Sequence, residues 1–203
     1  MNDLSNDSTP NLPNSPSTPV ARSKSTSPKP LLDSIFSTPL KSIAKSFQRM
    51  SMKTRVLKEL KTMEAAPKEG FDIELTDNLC LLYADITVAN NPLYPADEKY
   101  RLKIMIPEEY PFTNPVCHFI LDPSANVTKI PMHPHIYSNG HICLDLLGPA
   151  WTPAYTIMSL IVAIQSILAS NDTSERPEGD ENYVQRAPKD PSKTRWVYHD
   201  DNV

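Results

Sequence analysis

Apolar positions recur with different periods in successive segments of this chain. Over residues 51–65, Met52, Val56, Leu60 and Met63 stand at spacings of four, four and three. That is the stripe of an amphipathic helix. Pro67 and Gly70 end it. Four segments with strand character follow, at 71–75, 79–89, 99–106 and 116–121. Tyr83, Ile86, Val88, Leu102, Ile104 and Ile106 supply β-branched and aromatic positions, partly in period two. Asp77-Asn78, Asn90-Asn91-Pro92 and Tyr110-Pro111-Phe112 fall between them as turns. Strands joined in sequence by short connections pair as an antiparallel meander. Further on, Thr152 offers an N-cap and Pro153 a first helical position. This predicts a helix over 153–169, with Ile157, Leu160, Ile161, Ile164 and Leu168 making a stripe broad enough for burial.

The flanks differ from this centre. Residues 1–30 are Ser, Thr, Pro and Asn with almost nothing to bury, so ordering entropy keeps them disordered. Thr9-Pro10, Ser15-Pro16, Thr18-Pro19 and Ser27-Pro28 suit proline-directed kinases, or belong to an unregulated solvated tail. Leu31, Leu32, Ile35, Phe36, Leu40, Ile43 and Phe47 alternate with Lys41, Lys45 and Arg49. They form either an amphipathic element for a partner or an anionic surface, or a weakly ordered lead-in. Pro39 predicts a break within it. At the other end, Pro188 and Pro191 argue against a long terminal helix. The predicted class is α+β: an N-terminal helix, a four-stranded antiparallel meander, a reactive loop, a central buried helix and an irregular C-terminus. The organisation is a tail over 1–50, a domain over 51–180 and an irregular segment over 181–203.

Charge and cysteine usage narrow the function classes. The net charge is −4. Residues 1–50 carry +3 of it, which leaves a mildly acidic domain. A nucleic-acid-binding domain would show a basic face, so no nucleic-acid partner is expected. The three cysteines, Cys80, Cys117 and Cys143, are an odd number, and no apolar run reaches membrane-span length. Free thiols in a reducing compartment, cytoplasm or nucleus, follow as the expectation.

The candidate chemistry lies in His133-Pro-His-Ile-Tyr-Ser-Asn-Gly-His-Ile-Cys143. Cys80 and Cys117 sit among apolar strand residues and look like small core residues. Cys143 follows a polar, turn-rich stretch, which makes it a candidate nucleophile. Two other readings stand beside this one. His133, His135, His141 and Cys143 are all metal-ligand types, although zinc sites usually draw ligands from two separated places. A Cys–His hydrolase would use His141 as base, but no residue is evident to orient it.

Taken together, several motifs resemble the ubiquitin-conjugating enzymes. They are the helix Arg55-Val-Leu-Lys-Glu-Leu60, Tyr110-Pro111-Phe112, His133-Pro134, Asn139-Gly140, Ile142-Cys143-Leu144-Asp145 and Trp151-x-Pro153-Ala154. The likeness covers roughly 51–180. His-Pro-His at 133–135 and the ending Lys193-Thr-Arg-Trp-Val-Tyr-His-Asp-Asp201 resemble the W-type branch, known for modifying substrate α-amino groups.

The resemblance implies a Cys143 thioester that accepts ubiquitin from the activating enzyme and passes it to an amine. It implies that ligase partners are of RING or U-box type, that substrates are proteins with accessible N-termini, and that no cofactor is needed because ATP is consumed upstream. It implies activating-enzyme contacts at Lys53, Arg55 and Lys58, and ligase contacts at Arg55, Phe112, Pro153 and Ala154. His135 stands where most of the family has asparagine, and takes oxyanion stabilisation or loop holding. Asn139 takes a loop role. Asp172 and Glu175 lie in the region where relatives place an acidic residue near the incoming amine. The alternative is a non-catalytic module of the same fold that binds ubiquitin or a ligase.

Overall fold

The computed structural model describes residues 32–66 and 70–194, with side chains from Leu40 onward. The tail through residue 31 and the aromatic ending from residue 195 lie outside the described residues. The chain divides into two compact units at Pro39 and Leu40, and the second contains everything that follows.

Helix α1 spans Leu32–Ala65. Helical backbone is assigned on both sides of Pro39, where a break was expected. A proline forfeits one N–H and crowds one carbonyl, a local cost of about 3 kcal/mol, and the helix continues past it. Met52, Val56 and Met63 bury its inner face, as their spacing predicts. Four strands follow, β1 Phe71–Leu75, β2 Leu81–Ile86, β3 Tyr100–Met105 and β4 Val116–Ile120. They pair in sequence order as an antiparallel meander.

Alternation decides the two faces of the sheet. Leu82, Ala84, Ile86, Leu102, Ile104, Cys117 and Phe119 point inward and are buried. On the outer face Arg101 is itself buried under carboxylates. It donates to both Asp85 oxygens at 2.7 and 3.0 Å, to Asp122 at 2.9 Å and to Glu74 at 2.8 Å. Its guanidinium also lies 5.4 Å from the centre of the Tyr83 ring. Three partners compensate the charge that burial would otherwise penalise.

Helix α2 runs over Ile157–Ser170 and lays Ile157, Leu160, Ile161, Ile164 and Leu168 into the core. Its start differs from the expectation at Thr152-Pro153. Thr156 is the N-cap, in a reciprocal capping box with Ser159. Residues 152–155 instead form a turn, with the Tyr155 N–H donating to the Thr152 carbonyl at 3.0 Å. The proline satisfies a turn as well as a helix start, and it is Thr156 that has a serine three residues on, short enough to reach back to the N-cap N–H. After α2 there is no long helix among the described residues. A short α3, Asp180–Arg186, and a 3-10 turn at Pro191–Lys193 occupy the segment expected to be irregular.

Glu59 ties these pieces together. Its carboxylate is 6% exposed and sits on α1. The Tyr110 hydroxyl donates to both its oxygens at 2.8 Å, and the Ile157 N–H at the start of α2 donates at 2.8 Å. Arg55, one turn back, completes an ion pair with it. A buried carboxylate is tolerated only when partnered in this way. Glu59→Ala is therefore predicted to destabilise the domain by about 3 kcal/mol, read as a lower urea midpoint. Glu59→Gln, which retains an acceptor for Ile157 and Tyr110, is predicted to cost less.

Candidate functional site

The His133–Cys143 segment folds as a narrow hairpin laid on the edge of the sheet. Ile136 and Ile142, both buried, form a bridge across it. The Cys143 N–H donates to the His135 carbonyl at 2.8 Å, and the Tyr137 N–H to the His141 carbonyl at 2.9 Å. Asn139-Gly140 makes the turn, as its sequence signals. The Asn139 Oδ1 accepts from the His141 N–H at 3.1 Å, and Gly140 takes φ of +88°. The hairpin is fastened to β4 where the Phe119 N–H donates to the Gly140 carbonyl at 2.9 Å. A Cβ on Gly140 would lie 2.0 Å from the Phe119 carbonyl oxygen. Positive φ and close approach both require glycine here.

The other side of the hairpin is held by the segment after α2. Arg176 donates to the carbonyls of Pro131 at 2.6 Å, Ile136 at 2.9 Å and Ile130 at 3.0 Å. The Asp180 Oδ1 accepts from the Ser138 N–H at 2.8 Å. Tyr183 stacks on Tyr137 with ring centres 3.9 Å apart, and its hydroxyl lies 2.8 Å from the His141 Nδ1. The loop that carries Cys143 is thus gripped by β4 on one side and by residues 176–183 on the other.

The histidines divide by role. The His133 Nδ1 accepts from the His135 N–H at 2.9 Å, so Nε2 carries the proton and donates to the Ile167 carbonyl, 3.1 Å away on α2. Burial, with the neighbouring His135 next, pushes its pKa down to about 4 and keeps it neutral. His141 is buried and its pKa is lowered, first by burial. His118 on β4, ring centre 6.0 Å from that of His141, is pushed to about 4 by burial and then by His141. The His135 ring sits 5.4 Å from the His133 ring and makes no hydrogen bond among the described residues.

Cys143 is half-buried, whereas Cys117 is buried and its thiol pushed well up by that burial. Cys80 is half-buried in the turn before β2 rather than within a strand. Among the described residues, no group of three or more His, Cys, Asp or Glu converges as metal ligands would.

The other predicted residues gather at the far end of the domain. The Trp151 indole N–H donates to the Pro111 carbonyl at 2.8 Å, bringing the Phe112 turn beside residues 151–155. Arg55 donates to the carbonyls of Pro153 at 3.3 Å and Tyr155 at 3.2 Å. Arg55, Phe112, Pro153 and Ala154 therefore share one surface, where Phe112 is 79% exposed and not a core residue. Lys53 and Lys58 are exposed on α1. Asp172 and Glu175 are exposed in the stretch between α2 and α3. The carboxylate that reaches the loop is Asp180. The sequence signal for it was the Gly179-Asp180 helix start, hidden among the acidic residues of a segment with no apolar period.

Comparison with known proteins agrees with this geometry. A family model described as ubiquitin-conjugating enzyme matches residues 55–196. Ubiquitin-conjugating enzyme 15 of Arabidopsis thaliana is 42% identical over 151 residues, 73% of this chain and 89% of that protein. Ubiquitin-conjugating enzyme E2 W of Caenorhabditis elegans is 38% identical over 152 residues, 73% of this chain and 95% of its own length. Among solved structures, the ubiquitin conjugating enzyme E2 UbcA1 of Agrocybe aegerita superposes with a TM-score of 0.63 at 32% identity, covering 69% of this chain and 97% of that one.

Two histidines, the buried His133 and the half-buried His118, set a pH dependence. His118 and His133 bind protons in the unfolded chain below about pH 6.5 but remain neutral in the fold down to about pH 4. The unfolded state binds more protons in that window, so stability rises with pH across it. The urea midpoint is predicted to fall as pH is lowered from 6.5 towards 4. A midpoint that holds level or climbs over that range would contradict the neutral assignment.

Proposed function

Because the chain belongs to the ubiquitin-conjugating enzyme family, acyl transferases that carry ubiquitin on a cysteine thioester, we propose that Cys143 is the carrier and that protein α-amino groups are the preferred acceptors. The observation that carries this is the placement of Cys143. Its thiol is half-buried at the end of a hairpin whose backbone is fixed on both sides. A thiol fixed in this way meets its acyl donor in a defined orientation.

The chemistry is two acyl transfers. The Cys143 thiolate attacks the thioester that joins ubiquitin to the activating enzyme's cysteine, and that cysteine leaves as thiolate. A neutral amine then attacks the carbonyl of the Cys143 thioester. The oxyanion collapses, the Cys143 thiolate departs, and the amine gives up one proton as the amide forms. A thiolate suits both steps as nucleophile and as leaving group. The His135 ring, whose backbone is held by His133 and Cys143, offers an N–H to the oxyanion where most of the family presents an asparagine. Asn139 has a structural part through its turn bond to His141. No cofactor is required, since ATP is consumed by the activating enzyme, and a working thiol outside any disulfide suits the cytoplasm or nucleus.

On the distal surface, Lys53, Arg55 and Lys58 form the docking point for the activating enzyme, and Arg55, Phe112, Pro153 and Ala154 for a RING- or U-box-type ligase. The exposure of Phe112 supports this. Arg55 adds a second role, since it holds the 153–155 backbone in place.

Amine choice follows from proton removal. Near pH 7.4 roughly a quarter of an α-amine is neutral against about a thousandth of a lysine. A site without a strong base favours the amine already neutral, by a few hundredfold or about 3 kcal/mol before lysine's higher basicity offsets part of it. Asp180, which reaches the loop, is held by the Ser138 N–H. Two measurements test the proposal. Incubation with activating enzyme, ubiquitin and ATP is expected to yield a thiol-sensitive adduct on a non-reducing gel, absent in Cys143→Ala. Discharge of that adduct onto the side-chain amine of Nα-acetyl-lysine is expected to climb steeply above pH 9. An adduct that persists in Cys143→Ala removes the carrier assignment, and a flat lysine rate removes the account of amine choice.

A further inference from the structure

The outer face of α1 carries an exposed apolar stripe, most of it before the residues that the family model matches. Leu40, Ile43, Phe47 and Met50 are 63, 49, 66 and 61% exposed, and Leu57 is 52% exposed. With Thr54 they fall at spacings of three, four, three, four and three, the strict a/d seam of a coiled coil. At about 100° per residue, Phe47 points directly away from Val56, which is buried in the domain. The stripe therefore faces outward along the helix.

We propose that this stripe is a homodimer seam, on which α1 of a second copy packs antiparallel. The residues flanking the seam support that occupant. Ala44, Ser46 and Ser51 are small and uncharged, which lets a second helix approach closely. They also keep the apolar face to the narrow seam of a coiled coil. Lys41, Lys45 and Arg49 lie on the opposite side of the helix from the seam, so none of them sets like charges against a second copy.

Charge selects the direction. Lys53 and Lys58 are the flanking cations. In a parallel pair they would face each other across the seam, and like charges at such positions repel. In an antiparallel pair Lys58 faces Ala44, Lys53 faces Ser46, and Ser51 meets its own copy near the two-fold axis. The seam is also self-complementary in this direction. Leu40 meets Leu57, Ile43 meets Thr54 and Phe47 meets Met50, as an isologous interface requires. The exposed apolar area is roughly 500 Å² per copy, at the upper end of what a monomer shows and enough for an interface near 1,000 Å².

Sedimentation of the full chain from low to high micromolar concentration is the first test. The mass is expected to rise from the 22.8 kDa of one chain towards twice that value. Ile43→Glu/Phe47→Glu is expected to remain monomeric throughout while still forming the ubiquitin thioester, which shows that the variant is folded. Ser51→Cys is expected to cross-link to itself under mild oxidation, and to lose that cross-link when combined with Phe47→Glu. A wild-type chain that stays monomeric at every concentration overturns the proposal, as does a dimer that survives the double substitution. A monomer that sediments with phosphatidylserine vesicles only when the stripe is intact also overturns it, in favour of a lipid seat.

Discussion

A single buried carboxylate holds the three structural layers in register. Glu59 receives the Tyr110 hydroxyl from the turn before β4, the N-terminal N–H of α2 and the Arg55 side chain from its own helix. The Tyr110 hydroxyl and the Ile157 N–H would otherwise be polar atoms in an apolar surrounding. Because Arg55 also binds the Pro153 and Tyr155 carbonyls, the same contact fixes the loop that faces partners. Placement of α1, the start of α2 and the shape of the distal surface thus share one electrostatic anchor.

The reactive loop obeys a parallel constraint at the other end. An extended loop laid over a sheet edge presents many carbonyl and N–H groups, and nearly every buried one needs a partner. Arg176 takes three carbonyls, His133 joins the loop backbone to α2, and β4 takes Gly140. The groups proposed for chemistry, the Cys143 thiol and the His135 ring, sit on that held backbone. These bonds hold the loop backbone at several points, and a held backbone is what an acyl carrier needs to keep one reacting carbonyl in place.

Much of this was legible in the sequence, and the reasons differ by element. The strands were evident because one face of the sheet is buried, so alternation reports the pleat directly. Met52, Val56 and Met63 mark the buried side of α1 for the same kind of reason. The start of α2 was misplaced by four residues, because Pro153 suits a turn as well as a helix start, and the deciding contact between Thr156 and Ser159 is a side-chain bond. Asp180 and Arg176 were not legible. Their partners lie about 40 residues away, and no local period marks them. Arg55 was read as a contact residue, and only the fold shows that it also builds the surface it belongs to.

The central claim is that Cys143, and neither Cys80 nor Cys117, carries ubiquitin. Replacing the thiol by a hydroxyl in Cys143→Ser and charging the variant tests it most directly, since an oxygen ester survives reductant and can be mapped by peptide mass spectrometry. The account predicts a reductant-resistant ubiquitin ester on residue 143. Reductant-sensitive ubiquitin on Cys80 or Cys117 in that variant would contradict it.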